Sequence, residues 1–125
     1  MKQVIETADA PKAIGPYSQA IKVGNTIYCS GQIPLDPKTG ELIVGGIEDQ
    51  THRVLKNLFA VLKAADCGAE HVVKTTIYLK DLGHFGQVNE IYGTYFKAPF
   101  PARVTIQAAK LPRDVMVEID ATAQV

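Results

Sequence analysis

The sequence predicts an α+β fold in which two helices cover one face of a mixed β-sheet. Two stretches have the apolar spacing of amphipathic helices, and short β-rich runs stand before, between and after them. The 125 residues are enough for one domain, 1–125. Because two helices cover only one face of such a sheet, we expect its other face to be buried against further copies of the chain.

The N-terminal third predicts strands and tight turns. A short first strand leads to a loop at residues 13–17, and strands are predicted for Ser18 to Val23 and Thr26 to Gly31. Gly24-Asn25 is a typical two-residue hairpin turn between them. A second turn is predicted at residues 36–40, where Asp, Pro and Gly occur together.

A long helix is predicted from Ile47 to Ala65. Its polar side is assigned to Arg53, Lys56, Asn57 and Lys63, and we expect Gly68 to end it in the left-handed conformation. The apolar side follows helical spacing through Ile47, Thr51, Val54, Leu55, Leu58, Val61, Leu62 and Ala65.

A strand and a second helix are predicted next. Val72 to Leu79 is rich in β-branched residues, and Asp81 is placed to cap the helix that follows. Pro99 and Pro101 end this helix. Its buried stripe is predicted to consist of Phe85, Val88, Tyr92 and Phe96.

The last two predicted strands each combine an apolar face with a polar one. In the first strand, alternation places Arg103, Thr105 and Gln107 on one face and Val104, Ile106 and Ala108 on the other. In the second, Val115, Val117, Ile119 and Ala121 lie opposite Met116, Glu118 and Asp120. Arg103 and Glu118 on neighbouring strands suggest a pocket for a small anion with a polar reacting centre. A structural salt bridge is the alternative, and alternation does not choose between them.

Three further places contain polar groups that a pocket could use. Asn89 falls on the apolar stripe of the second helix, so its amide either braces backbone or faces a polar pocket. Tyr17 could line the mouth of a pocket or cover the core. Ser30 and Gly31 stand near a strand end, where a ligand could approach the backbone closely.

Composition and spacing exclude several classes of function. Thirteen basic and thirteen acidic residues cancel, which argues against a nucleic-acid surface. His52, His71 and His84 are too widely separated to indicate a metal site, and no motif predicts a cofactor. Two cysteines without a disulfide framework, no signal peptide and no membrane-length apolar run indicate a cytoplasmic protein.

Taken together, the ordered motifs resemble the RidA (YjgF-type) family of reactive-intermediate deaminases, and the match runs nearly end to end. The motifs are Ala13-Ile14-Gly15-Pro16-Tyr17-Ser18, Ser30-Gly31-Gln32-Ile33-Pro34, Asp36-Pro37-Lys38-Thr39-Gly40, Val73-Lys74-Thr75-Thr76, Val88-Asn89, Phe100-Pro101-Ala102-Arg103, Leu111-Pro112-Arg113-Asp114-Val115 and Val117-Glu118-Ile119.

This resemblance implies a chorismate-mutase-like fold, a homotrimer with its sites between subunits, and cofactor-free hydrolysis of 2-imino acids such as 2-iminobutyrate and 2-iminopropionate. The products would be 2-oxo acids and ammonia. Arg103 would bind the substrate carboxylate and Glu118 would position water. The pocket would be lined by Tyr17, Ser30, Gly31, Asn89 and Thr105.

One position departs from many family members, because Thr105 stands where they have a cysteine. A threonine can donate a hydrogen bond but forms no thiolate, so substrate range is the property this change affects. A non-catalytic trimer that binds small carboxylates is the main alternative function. Chorismate-mutase chemistry rests on fold alone, and a role on RNA conflicts with the neutral charge balance.

Overall fold

A six-stranded mixed sheet forms the scaffold, and the computed structural model describes every residue from 1 to 125. The strands are β1 (Gln3–Ile5), β2 (Ala20–Val23), β3 (Thr26–Gln32), β4 (Val72–Leu79), β5 (Ala102–Gln107) and β6 (Val117–Gln124). Their order across the sheet is β1-β2-β3-β6-β4-β5. Only β4 and β5 pair in parallel, because the helix between them returns the chain to the starting edge.

Two helices, α1 (Ile47–Ala64) and α2 (Phe85–Tyr95), pack together and cover one face of this sheet. That confirms the predicted α+β architecture. The core between helices and sheet includes Val54, Leu55, Leu58, Leu62, Ile77, Leu79, Val88, Val117 and Ile119, all fully buried. Neither helix combines the length and the apolar composition that crossing a lipid bilayer requires.

The predicted hairpin is confirmed between β2 and β3. Gly24 has a φ of 59°, which the tight turn needs and which glycine adopts without steric cost. The turn at residues 36–40 is also present, where the Lys38 amide donates to Asp36 Oδ1 over 2.8 Å.

Two details predicted for α1 are wrong. Asn57 is not on the polar side but fully buried, where its Nδ2 donates to the carbonyls of Ile33 and Leu35 at 3.2 and 2.9 Å. Gly68 is extended, with a φ of −118°, and the left-handed residue after the helix is Asp66, with a φ of 58°.

The start of α2 follows the predicted cap. Asp81 Oδ1 accepts from the Gly83 amide at 2.8 Å and caps a 3-10 turn that continues into α2. The predicted buried stripe is present, although Phe85 is only partly buried.

The other face of the sheet has no helix on it. Because Ile77 and Ile119 face the helices, strand alternation turns Val104, Ile106 and Tyr28 to this open face. Their exposed fractions are 42%, 43% and 54% respectively. The expectation of an uncovered face with apolar side chains is therefore confirmed.

Candidate active site

Arg103 lies on the helix-covered face of β5 and is held from three sides. Its Nη1 donates to Asn89 Oδ1 of α2 over 2.8 Å. Its Cζ lies 4.9 Å from the centroid of the Tyr92 ring and 5.4 Å from that of Phe85. These contacts orient the guanidinium before any ligand arrives, and its remaining N–H donors are free of hydrogen bonds within the chain.

An open recess of about 490 Å³ lies beside this guanidinium. Its walls are Asn89, Tyr92, Gly93, Phe100, Pro101 and Arg103. Tyr92 is fixed in turn, because its hydroxyl lies 2.8 Å from Thr75 Oγ1 in the core. This recess has room for a small carboxylate, and the guanidinium complements its charge.

Two of the predicted pocket residues belong to this region. Asn89 is exposed and accepts a hydrogen bond from Arg103, so the alternative in which its amide braces the backbone is wrong. Thr105 shares the face of Arg103, two residues along β5. Its Oγ1 is buried and has no hydrogen-bond partner within the chain, although Thr105 does not itself line the recess.

Glu118 lies on the open face of β6, in a cross-strand row with Tyr78 and Ile106. Its side chain runs over Gly31, so closely that a Cβ there would lie 2.9 Å from Glu118 Cδ and 3.1 Å from Cγ. Gly31 is therefore required for this position of the carboxyl group. Burial, and then the negative charge of Asp120, raises the pKa of Glu118 above its usual value.

The remaining predicted residues lie on the Gly31 side. A recess of about 300 Å³ is lined by Gly31 and by Tyr17, whose ring is half exposed in its loop. Ser30 precedes Gly31, and its hydroxyl donates to the Ser18 carbonyl over 2.6 Å. This hydrogen bond ties the Tyr17 loop to β3.

Arg103 and Glu118 do not meet within one chain, which corrects the prediction of neighbouring strands. Strand β4 separates β5 from β6, and the two side chains point to opposite faces of the sheet. The alternative prediction, a structural salt bridge between the two, is wrong for the same reason, and no ion pair joins these residues. Each chain therefore presents an arginine half-site (Arg103, Asn89, Thr105) and a glutamate half-site (Glu118, Gly31, Tyr17, Ser30).

Sequence reasoning missed the aromatic support of Arg103, and it placed Asp120 on the face of Glu118 without giving it a role. Phe85 and Tyr92 had been assigned to the core alone, yet they stand four residues before and three after Asn89, on its helix face. Asp120 stands two residues after Glu118, a spacing that places both on one face of a strand. No group of three potential metal-ligating side chains occurs in the structure.

These features define a small α+β protein with an arginine-based anion recess and a separate, partly buried carboxyl group. The chain belongs to the YjgF/RidA family. The family model described as endoribonuclease L-PSP matches residues 7–125.

Relatives from several organisms are similar over nearly their whole length. Mouse 2-iminobutanoate/2-iminopropanoate deaminase is 54% identical over 123 residues, which is 98% of this chain and 91% of the mouse protein. The human protein of the same name is 52% identical and covers 98% of this chain and 90% of its own.

Solved structures agree with the fold. RidA from the bacterium Psychrobacter is 42% identical, with a TM-score of 0.94, and covers 98% of this chain and 99% of its own. Escherichia coli TdcF with bound serine is 39% identical, with a TM-score of 0.93, and covers 98% of each chain.

Proposed function

We propose that this protein hydrolyses reactive 2-imino acids, such as 2-iminobutanoate and 2-iminopropanoate, to 2-oxo acids and ammonia. Two mammalian relatives more than half identical to it are named as deaminases of these compounds. The single observation that carries the proposal is Arg103, oriented by Asn89 and two aromatic rings at the edge of an open recess. Two free, buried cysteines fit a reducing cytoplasm, where we place the protein.

We also propose that the working form is a homotrimer with three sites between protomers. The half-sites on opposite sides of one sheet are incomplete alone, and a neighbouring copy could bring a glutamate half-site to an arginine half-site. The exposed apolar side chains of the open face support such an assembly, because a surface of this kind is commonly buried between subunits.

In the proposed complex, Arg103 binds the carboxylate of the substrate. A guanidinium offers paired donors in a plane, so it fixes the orientation of a carboxylate as well as its position. Thr105 Oγ1, buried without a partner on the same face, is available to a second polar atom of the substrate. Bound serine in the related E. coli TdcF structure shows that that protein takes a small amino acid.

Glu118 manages the protons of the reaction. The C2 atom of a protonated imine is already electrophilic, so attack by water needs positioning rather than a strong nucleophile. The Glu118 carboxylate accepts a proton as the water oxygen bonds to C2 and then delivers that proton to the nitrogen. Ammonia departs when the C–N bond breaks, and the hydroxyl proton passes to the Glu118 carboxylate as the C2 carbonyl forms.

The first experiment measures the disappearance of 2-iminobutanoate generated in situ. Arg103→Ala is expected to lower kcat/KM by about 10–100-fold, since hydrogen bonds to a charged group contribute about 1.5–3 kcal/mol. Arg103→Lys should recover only part of the lost activity, because lysine supplies the positive charge but not the paired, planar donors of arginine. Lys97→Ala, an exposed change of equal charge, is the control. Consumption by Arg103→Ala at the rate of the parent protein contradicts the proposal.

A second experiment tests whether the site is shared. Arg103→Ala and Glu118→Gln chains are each expected to be nearly inactive. After both are unfolded and refolded together in equal amounts, random trimers should recover about a quarter of the parent activity, because one site in four combines an intact arginine with an intact glutamate. No recovery, in a mixture shown to be assembled, contradicts a site between protomers.

The alternative, a trimer that only binds small carboxylates, predicts a different pattern. It requires Arg103 but no proton transfer, so Glu118→Gln would leave ligand affinity unchanged and the parent protein would not accelerate imine loss. The deaminase instead predicts that Glu118→Gln lowers kcat far more than it weakens binding of a 2-oxo acid. The balanced charge of the chain does not favour RNA as a substrate.

A further inference from the structure

Two side chains on the open face form a hydrogen-bonded pair next to Glu118. Tyr78 of β4 is the cross-strand partner of Glu118, and Asp120 lies two residues along β6 on the same face. The Tyr78 hydroxyl donates to Asp120 Oδ2 over 3.2 Å, which an aromatic ring can do across the diagonal of a strand pair. All three residues are partly buried.

We propose that Asp120, held in place by Tyr78, is a positioning residue whose negative charge keeps a proton available on Glu118 during imine hydrolysis. The inference rests on the proposed function, because it assigns Asp120 and Tyr78 a role in the same site. Neither residue has to touch the substrate.

The Asp120 carboxylate has no oppositely charged partner within the chain. Neither of its oxygens takes part in an ion pair, and Tyr78 is the side chain that donates to it. Burial first, and then the charge of Asp120, raises the pKa of the Tyr78 phenol, so this hydroxyl stays protonated and remains a donor. A second carboxylate on the same partly buried face disfavours the ionisation of Glu118.

Asp120 is the principal charged neighbour of Glu118 on this face. Lys80 lies beside Met116, two residues before Glu118, but its ammonium group is paired with Asp114 over 3.0 Å. Tyr28 of β3 and Lys74 of β4 lie in the row of Thr122, further along β6 than Asp120. β5 contributes only the apolar Ala102, Val104 and Ile106.

In the proposed assembly, Arg103 of the partner subunit faces Glu118 and favours its ionised form. A glutamate whose negative charge is strongly stabilised is a weak base and accepts a proton from the attacking water poorly. Asp120 opposes the effect of the arginine, so Glu118 remains basic enough to take from water the proton that it then gives to the nitrogen. The protein thus uses a second carboxylate to tune the first.

The test measures the ionisation of Glu118 directly in the assembled protein. Glutamate labelled with 13C at the side-chain carboxyl is incorporated, and the Glu118 signal is assigned by its loss in Glu118→Gln. Its NMR titration is then compared in the parent protein, Asp120→Asn, Tyr78→Phe and Asp66→Asn. The last removes an equal charge from an exposed residue with a left-handed backbone that asparagine tolerates.

We expect the titration midpoint of Glu118 to move to lower pH in Asp120→Asn, because a neighbouring negative charge has been removed. Tyr78→Phe should shift it the same way but less, since Asp120 keeps its charge and loses only its anchor. Asp66→Asn should leave it unchanged. The pH profile of imine turnover should show the limb that belongs to Glu118 moving by the same amount in each variant.

Equal midpoints in the parent and Asp120→Asn overturn the inference, as does a shift of similar size in Asp66→Asn. This outcome is separate from failure of the proposed function, because the titration needs no turnover. A parent protein that leaves 2-iminobutanoate untouched overturns the deaminase and the proton role together. If the parent consumes 2-iminobutanoate but the titration midpoint of Glu118 is the same in Asp120→Asn, only the inference is overturned.

Discussion

Replacing Gly31 by alanine should disable the glutamate half-site while leaving the fold intact. The new Cβ would lie 2.9 Å from Glu118 Cδ and 3.1 Å from Cγ, whereas carbon atoms in good contact lie about 3.5–4.0 Å apart. The carboxyl group must therefore withdraw by up to about 1 Å, and a displacement of about 1 Å can lower the rate about 100-fold.

The backbone at Gly31 does not itself oppose alanine, because its φ is outside the left-handed region. We therefore expect a large loss in kcat for imine hydrolysis, with a thermal unfolding midpoint close to that of the parent. Gly86→Ala is the matched control, since no atom lies near its Cβ position in α2. That change should leave turnover unaltered and stabilise the helix by about 0.5–1 kcal/mol.

A second change distinguishes displacement of Glu118 from general damage. Glu118→Asp shortens the side chain by one methylene and removes atoms that the new Cβ would strike. The double variant Gly31→Ala/Glu118→Asp should therefore lose less activity than the sum of the two single losses. Full turnover by Gly31→Ala refutes the reasoning, because the carboxyl group would then not need its place over Gly31.

Two further predictions concern buried groups outside the half-sites. Asn57→Ala should lower the free energy of unfolding by about 1–3 kcal/mol in urea titrations, while the exposed Lys56→Ala should change it little. The Leu35 carbonyl loses the Asn57 donor, and the Ile33 carbonyl keeps only the Leu35 amide. A loss equal to that of Lys56→Ala contradicts this account. Burial raises the pKa of Cys29 to about 12, so iodoacetamide at pH 8 should modify this thiol only after unfolding. Rapid modification of Cys29 in the native protein is the opposing result.

Local patterns predicted the elements well, because each depends on neighbours in sequence. Strand β4 has the predicted limits of Val72 and Leu79, and the predicted end of α1 differs from the observed one by a single residue. Apolar spacing and turn chemistry act within a few residues, so they are visible in the chain itself.

The errors arose where distant segments decide the outcome. Asn57 was assigned to the polar side because its side chain is polar, although it stands three residues after Val54 and four before Val61, both buried. Its amide serves loop carbonyls more than 20 residues away. Alternation within β5 and β6 correctly grouped the residues of each strand. Alternation alone could not show whether Arg103 and Glu118 lie on the same face of the sheet. That depends on the register in which β5 and β6 each pair with β4, which lies between them. The candidate residues were therefore named, but their division into two half-sites was not foreseen.

The separation of Arg103 from Glu118 has a consequence for how a cell's capacity depends on the amount of protein made. Under the proposed assembly, a newly synthesised chain carries both chemical groups and can use neither until it meets a sister molecule. A fall in the amount of protein would then lower the total activity by a larger factor than the amount itself. A faulty gene copy whose chains lack both groups would also spoil sites built partly from sound chains, so its harm would exceed its share of the pool.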